Sequence, residues 1–262
     1  MKLLSLFLLV VISATQAQPK KILELSPGEI TNISVDRLGN FYLILKNSTI
    51  QKYNPNGELL AQSNIFNEKT INVEAWNPLQ VIVHTPDSFR YYVLDHELQN
   101  RKIVAIDSSF AISPHLLSPG YESSLWLIDG ADFSLKRIES LQKGLKYESK
   151  LQAPGWDDKP NLIQIREYQN LIFLLDSKSG ISMFTSLGKL VRTIDERSIR
   201  YFNFMGEELY FLKDNKIILF DLYTEETREL KIDSDCKYAL ITDERLILVK
   251  SEKVEIFEYF LQ

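Results

Sequence analysis

The sequence predicts an all-β fold in which one four-stranded unit is repeated six times, and three observations lead to this prediction. Short apolar strands separated by turn residues run from about residue 20 to residue 259, without the apolar spacing of an amphipathic helix. The second strand of the unit recurs about every 40 residues, which is the period of one propeller blade. The last unit lacks its fourth strand, and a matching strand stands at the other end of the chain. Together these features predict a six-bladed β-propeller, a closed ring of four-stranded blades.

The first repeat shows the strands and turns of the unit most clearly. Asp36 begins the turn between its first two strands, where the carboxylate can accept hydrogen bonds from backbone N–H groups and Gly39 tolerates a positive φ. Its four strands are predicted at Ile30–Val35, Asn40–Ile44, Ser48–Asn54 and Glu58–Ser63. The second strands of the later units begin near Val81, Leu125, Leu171, Leu209 and Leu246.

The two ends of the repeat region complement each other. The sixth unit stops after its third strand, near Tyr259, whereas Lys20–Leu25 has the same character as the fourth strands of other units, such as Thr227–Ile232. The N-terminal strand is therefore predicted to complete the sixth blade and close the ring. Closure removes unpaired strand edges that would otherwise promote aggregation.

The first strand of each blade lines the axis of a propeller, so polar residues on these strands should converge there. The strands are predicted at Ile30–Val35, Ile71–Ala75, Ile112–His115, Leu162–Arg166, Tyr201–Phe204 and Tyr238–Ile241. They carry polar residues at comparable depth: Asn32, Asn72, Glu74, His115, Gln164 and Asn203. Two interpretations stay open, a site for a cation or small polar ligand and a channel whose lining holds ordered water.

A second candidate site lies on one face of the ring. The loops that lead into the first strands and those that follow the second strands share this face, here called the loop face. The longest such loop, Ala153–Pro160, carries an aromatic residue and two adjacent carboxylates, Trp156, Asp157 and Asp158. Other loops are expected to bring His84, Asp87, Asp132, Lys178, Lys213 and Asp214 to the same face. The pattern predicts a recognition surface, the alternative being that Trp156 folds back onto its blade and the carboxylates are only solvated.

The N-terminus predicts export. Lys2 precedes an apolar run of about ten residues, Leu3–Ile12, and a small-residue segment that ends at Ala17, as in a secretory signal peptide. Cleavage is expected after Ala17, so residues 1–17 would be the signal peptide and residues 18–262 a single propeller domain in the periplasm or outside the cell. No second run in the mature chain is long enough to span a membrane.

Charge and cysteine content exclude some classes of function. The formal net charge is −5 without an evident Lys/Arg cluster, which argues against nucleic acid as a partner. Cys236 is the single cysteine, so an internal disulfide is impossible. It is read as a small buried residue, with a reactive or intermolecular thiol as the alternative. Trp76 and Trp126 lie in or beside strands and are expected to pack between blades.

Three stretches resemble known propeller repeats. The segment VDRLGNFYLILKNSTIQKYNPNGEL (35–59) resembles an NHL repeat, and SLWLIDGADFSLKRIE (124–139) is more similar to a YWTD repeat. The segment NLIFLLDSKSGISMFTSLGKLV (170–191) fits either pattern. Both resemblances imply a six-bladed propeller, and neither implies one function. In gluconolactonase-type propellers a divalent metal lies on the axis, and here Asn32, Asn72, Asn203 and Glu74 would have to supply its oxygen ligands.

No familiar catalytic motif is present, and the three histidines lack metal-ligand spacing. The favoured hypothesis is an exported, non-catalytic propeller without a cofactor that binds a protein, peptide or glycan through the loop face. The alternative is a small-molecule hydrolase or lactonase with Ca²⁺ or another divalent cation on the axis. A third possibility is a structural scaffold in an envelope complex.

Overall fold

The structure is a computed structural model that describes residues 19–64, 68, 70–99, 101–139, 144–156, 159–232 and 234–259. The described chain is all-β, with six sheets of four antiparallel strands arranged as blades in a ring. The predicted six-bladed β-propeller is confirmed. No helix in these ranges has the length and apolar character needed to cross a bilayer.

Strand β1 (Lys20–Leu25) belongs to the last blade, and blades one to three follow it in the chain. Blade one contains β2 (Ile30–Val35), β3 (Phe41–Leu45), β4 (Ile50–Tyr53) and β5 (Leu59–Ser63). Blade two contains β6 (Asn72–Glu74), β7 (Val81–Thr85), β8 (Arg90–Leu94) and β9 (Lys102–Ala105), with a short 3-10 helix at Pro86–Ser88. Blade three contains β10 (Pro114–Pro119), β11 (Ser124–Asp129), β12 (Ser134–Glu139) and β13 (Leu145–Lys150).

The remaining strands form blades four to six. Blade four contains β14 (Leu162–Tyr168), β15 (Leu171–Asp176), β16 (Gly180–Thr185) and β17 (Leu190–Ile194). Blade five contains β18 (Phe202–Met205), β19 (Glu208–Lys213), β20 (Lys216–Asp221) and β21 (Thr227–Lys231). Blade six contains β22 (Tyr238–Ile241), β23 (Arg245–Val249) and β24 (Val254–Glu258), and β1 is its outermost strand.

The core lies between neighbouring blades. Second strands such as β3, β7 and β11 are buried along their whole length, because both faces of each sheet pack against an adjacent blade. One apolar cluster joins Ile33 and Leu43 of blade one to Leu240 and Ile247 of blade six. The outer strands are mostly exposed, as in β1 and β21. Burial therefore depends on the ring being complete.

The ring closes as the sequence predicted. Strand β1 pairs antiparallel with β24, from Lys20 opposite Glu258 to Leu25 opposite Val254. Side chains reinforce the pairing, since the ammonium of Lys21 lies 2.8 Å from the carboxylate of Glu255. The turn of blade one also packs on β1. Gly57 has φ +85°, and a Cβ there would lie 2.4 Å from the side chain of Leu23.

Buried aspartates fasten the turns of several blades. Asp36 accepts hydrogen bonds from the backbone N–H groups of Leu38 (2.9 Å) and Asn40 (3.0 Å), as the sequence predicted. Asp129 accepts from the backbone N–H groups of Ile112 and Ser113, each at 2.9 Å. These hydrogen bonds to Asp129 explain an error in the predicted start of the first strand of blade three. The segment Ile112–His115 was predicted as a strand, but its first residues form a loop held by Asp129, and β10 begins at Pro114.

Candidate functional site

The axial channel is blocked by a buried ion pair. Arg166, on β14 of blade four, is 1% exposed, and its Nη2 donates to Oε2 of Glu74 on β6 at 2.9 Å. Its Nη1 donates to Oδ1 of Asn203 on β18 at 2.5 Å, and its guanidinium lies 5.3 Å from the ring centre of Trp76. Burial raises the pKa of Glu74, and the positive charge of Arg166 opposes that rise. We call Arg166, Glu74 and Asn203 the axial plug, since they join blades two, four and five.

A cavity of about 400 Å³ lies on the loop-face side of the axial plug. Five of the six predicted axial residues line it: Asn32, Asn72, Glu74, His115 and Gln164. The sixth, Asn203, lines a separate pocket of about 710 Å³ on the opposite face, next to Trp76, Tyr168 and Phe204. The predicted convergence on the axis therefore exists, but Arg166 divides it into two compartments.

Several side chains of this axial cavity already bind neighbouring backbone. The amide of Gln164 accepts from the N–H of Phe202 (3.0 Å) and donates to its carbonyl (2.9 Å), which ties blade four to blade five. Nε2 of His115 lies 2.7 Å from the carbonyl oxygen of Leu162 in blade four. Oδ1 of Asn32 accepts from the N–H of Ile33 at 2.8 Å. These contacts give part of the polar lining a structural role.

A larger groove of about 1030 Å³ opens from the axial cavity between blades five and six. The loops that lead into β18 and β22, and those that follow β19 and β23, form its walls. Arg200, Tyr201 and Tyr238 line both the groove and the axial cavity. The rings of Tyr201 and Tyr238 meet edge to face, with centroids 6.3 Å apart. We call these three residues, together with Lys237, the sill.

The sill contains two cations and two tyrosines. Arg200 is exposed and Lys237 is half-buried, and neither forms an ion pair with another described residue. Burial raises the pKa of Tyr238, and the nearby charge of Arg200 opposes that rise. The hydroxyl of Tyr201 is buried beside the guanidinium of Arg166. The sill therefore offers positive charge and hydrogen-bond donors to a ligand.

The predicted surface around the longest loop is only partly described. Trp156 folds back onto its blade, with its ring 5.7 Å from that of Phe184, so the alternative interpretation holds for its position. Asp157 and Asp158 lie outside the described residues. Four of the other predicted residues are exposed on connections that follow second strands: Asp87, Asp132, Lys178 and Asp214. Of these four, only Asp214 lines the groove.

The placement of His84 on a loop was wrong. Strand β7 continues through Thr85, which pairs with Arg90, so His84 lies inside the sheet and is 1% exposed. Burial, with a smaller effect of His115, lowers the pKa of His84 to about 3. Neither ring nitrogen has a hydrogen-bond partner among the described residues. A neutral imidazole enclosed in this way is not available to a ligand on the loop face.

The remaining predicted positions have structural surroundings. Trp126 is 1% exposed, and its Nε1 donates to Glu167 of the next blade at 2.7 Å, as expected for packing between blades. Trp76 lies edge-on to Tyr168 of blade four, with ring centres 6.0 Å apart. Cys236 is half-buried in the wall of the groove, and burial raises the pKa of its thiol to about 12. A thiol with that pKa is a poor nucleophile at neutral pH.

Sequence reasoning missed Arg166 and the sill. Arg166 is the last residue of a strand that was predicted to line the axis, where Glu74 was the single carboxylate. An arginine and a lone carboxylate on the same axis could have indicated a buried ion pair. Arg200 and Lys237 were harder to find, because each stands alone in the sequence and the ring brings them together.

Comparison with known proteins supports the fold. No protein-family model and no curated protein sequence matches the chain. Among solved structures, it is similar to virginiamycin B lyase from Staphylococcus aureus, with 12% identity, a TM-score of 0.57 and coverage of 88% of this chain and 80% of the lyase. BBS1N, solved in complex with ARL6DN, matches with 10% identity, a TM-score of 0.57 and coverage of 93% of this chain and 97% of BBS1N. BamB from Moraxella catarrhalis matches with 9% identity, a TM-score of 0.51 and coverage of 87% of this chain and 84% of BamB. At these identities the likeness shows a shared propeller fold.

Proposed function

We propose that this protein is an exported, non-catalytic propeller that binds a protein, peptide or glycan through its loop face. The observation that carries the proposal is the continuous concave surface formed by the axial cavity, the sill and the groove. The titratable groups at its base are bound within the fold, since Glu74 pairs with Arg166 and Nε2 of His115 meets a backbone carbonyl. Exposed charges remain at the rim, where a partner can reach them.

Two structural neighbours give this proposal a precedent. BBS1N was solved in complex with ARL6DN, and YCF48 was solved bound to D1 peptide. YCF48 matches with 10% identity, a TM-score of 0.50 and coverage of 94% of this chain and all of that one. Because one fold serves unrelated functions, these complexes support binding as a use of the architecture and leave the partner undefined.

Two finer assignments belong to the same proposal. The repeats are assigned to the NHL or YWTD type, on the turn pattern around Asp36 and the position of Asp129. Residues 1–17 are assigned as a signal peptide that is removed after Ala17, with the mature chain in the periplasm or outside the cell. Sequencing the N-terminus of protein recovered from the producing cells tests the cleavage.

Site-specific photo-crosslinking in the producing cells tests the proposed loop-face binding. A benzophenone amino acid replaces Lys178 or Asp214 on the loop face, and Leu38 or Leu79, which are 68% and 75% exposed, on the opposite face. We expect discrete adducts from the first two positions and none from the second two, because a bound partner covers only the loop face. Adducts confined to Leu38 and Leu79 would contradict the proposal.

We also propose that the protein has no resident cofactor, because the axial residues do not fit a divalent cation. The carboxylate of Glu74 and Oδ1 of Asn203 both accept from Arg166, and Oδ1 of Asn32 accepts from the backbone. Within the described ranges there is no cluster of three His, Cys, Asp or Glu side chains able to hold a metal. A divalent cation prefers several hard oxygen ligands and would meet a guanidinium here.

Metal analysis of the purified protein tests this proposal. We expect less than about 0.1 divalent ion per chain and a melting temperature that Ca²⁺ shifts by less than about 1 °C, since binding linked to folding stabilises in proportion to occupancy. Magnesium serves as the control for nonspecific salt effects. One tightly bound ion per chain would instead favour the lactonase-like alternative.

A further inference from the structure

We propose that the sill binds a carboxylate side chain of an extended acidic peptide that lies in the groove between blades five and six. This inference rests on the proposed loop-face binding and names the chemistry of the ligand. It joins two observations: two cations without an ion-pair partner among the described residues at the axial end of the groove, and a groove whose volume of about 1030 Å³ is far larger than one carboxylate requires.

The topology places the positive charge at the axial end. Arg200 lies two residues before β18, and Lys237 immediately precedes β22, so both lie where the chain enters an inner strand. The backbone N–H of Lys237 donates to the carbonyl of Val249 at 2.7 Å, which fixes its position on blade six. The two cations therefore lie on the facing loops of neighbouring blades, on either side of the groove.

Most other charges of the groove are paired locally or lie farther out. Lys213, Lys250 and Lys253 pair with Glu196, Glu255 and Glu24 respectively. The acidic residues Asp214 and Glu252 lie in turns after second strands, one strand farther from the axis than Arg200 and Lys237. Arg197 and Asp235 lie on the same loops as Arg200 and Lys237 and add one charge of each sign, so the axial side stays positive. A ligand carboxylate is thus favoured at the sill and disfavoured at the outer part of the groove.

The two tyrosines of the sill contribute ring surface to the groove. The hydroxyl of Tyr238 donates to the carbonyl of Thr31 at 2.8 Å, and the hydroxyl of Tyr201 is buried beside the guanidinium of Arg166. Arginine and tyrosine are also frequent anchors in interfaces.

The size of the groove indicates a peptide as the ligand. Its volume of about 1030 Å³ adds to the 400 Å³ axial cavity that it joins at the sill. A single small carboxylate would leave most of this space to water, whereas an extended segment can fill the groove and project one side chain past Arg200. We expect one acidic residue at the sill, flanked by residues that meet the mixed charges of the outer groove.

Selection of peptides from a random twelve-residue phage library on immobilised mature protein tests the inference. We expect the selected peptides to share an Asp or Glu. A synthetic copy of the best peptide should bind the double variant Arg200→Glu/Lys237→Glu at least about tenfold more weakly, because the variant loses two charge-assisted hydrogen-bond donors and places two like charges beside the ligand carboxylate. The matched control is Arg37→Glu, an exposed arginine on the opposite face, which should leave binding unchanged. Circular dichroism confirms that the variants are folded.

Three outcomes would overturn the inference. Selected peptides without an acidic residue that still lose binding when loop-face residues are changed would refute carboxylate recognition and leave loop-face binding intact. Acidic peptides that bind the double variant as tightly as the wild type would place their site elsewhere. Recovery of no peptide would refute the peptide ligand, and the photo-crosslinking result would then decide the proposed function separately.

Discussion

Replacing Arg166 with methionine should lower the free energy of unfolding by about 3–5 kcal/mol, because it leaves the carboxylate of Glu74 buried without its partner. Methionine keeps much of the apolar volume of the arginine side chain, so little of the loss should come from a cavity. The same change removes the donor to Asn203 and the cation above the ring of Trp76. Urea unfolding followed by tryptophan fluorescence measures the effect.

The double variant Arg166→Met/Glu74→Leu separates the ion pair from packing. It removes both charges, and replacement of a buried pair by apolar residues is often neutral. We therefore expect the double variant to regain most of the stability that Arg166→Met loses. If Arg166→Met lowers the free energy of unfolding by less than about 1 kcal/mol, water reaches Glu74 and the axial plug is not a closed barrier.

Deleting residues 18–27, and with them β1, should have the second large effect. Five residue pairs join β1 to β24. Each lost backbone hydrogen bond contributes roughly 0.5–1.5 kcal/mol, so for about one bond per residue pair we expect a loss of roughly 2.5–7.5 kcal/mol in the free energy of unfolding. The melting temperature should fall by roughly 10 °C. The truncated protein should also aggregate, because the edge of β24 becomes available to other chains. Calorimetry and light scattering measure the two effects.

A circular permutant provides the matched control for the deletion. The sequence Lys20–Leu25 is moved behind residue 259 through a short glycine–serine linker, so that β1 follows β24 as the fourth strand follows the third in other blades. We expect the permutant to regain the melting temperature and solubility of the wild type. If the truncated chain melts within about 2 °C of wild type, closure by β1 contributes little to stability.

Strand positions were predictable because their signals are local. The predicted bounds of three strands agree with the structure to the residue, since turn residues flank each apolar run: Lys20–Leu25, Ile30–Val35 and Tyr238–Ile241. The predicted start of β10 was wrong, because Ile112 and Ser113 form a loop that is hydrogen-bonded to the carboxylate of Asp129, some sixteen residues downstream. Such a contact leaves no trace in the strand pattern itself.

The site was less predictable than the fold, because its contacts join distant blades. Glu74 and Asn203 were predicted as axial site residues, but Arg166, which binds both of them, was not. His84 stands next to a proline turn, and whether the strand ends before or after it depends on the pairing of Thr85 with Arg90. The sill needs the ring geometry, since its four residues come from two blades.

Closure by β1 also sets the order in which the chain can fold. Strand β1 precedes the other described strands in the chain and is the last to find its partner, because the Lys21–Glu255 contact spans 234 residues. Contacts so distant in sequence slow folding, since the entropy of closing the chain is lost before the contact forms. Until blade six has formed, blade one has no neighbour on one side, and the apolar faces of Ile33 and Leu43 stay open to water. A chain exported, as proposed above, in an unfolded state would therefore expose these apolar faces until its last blade has formed.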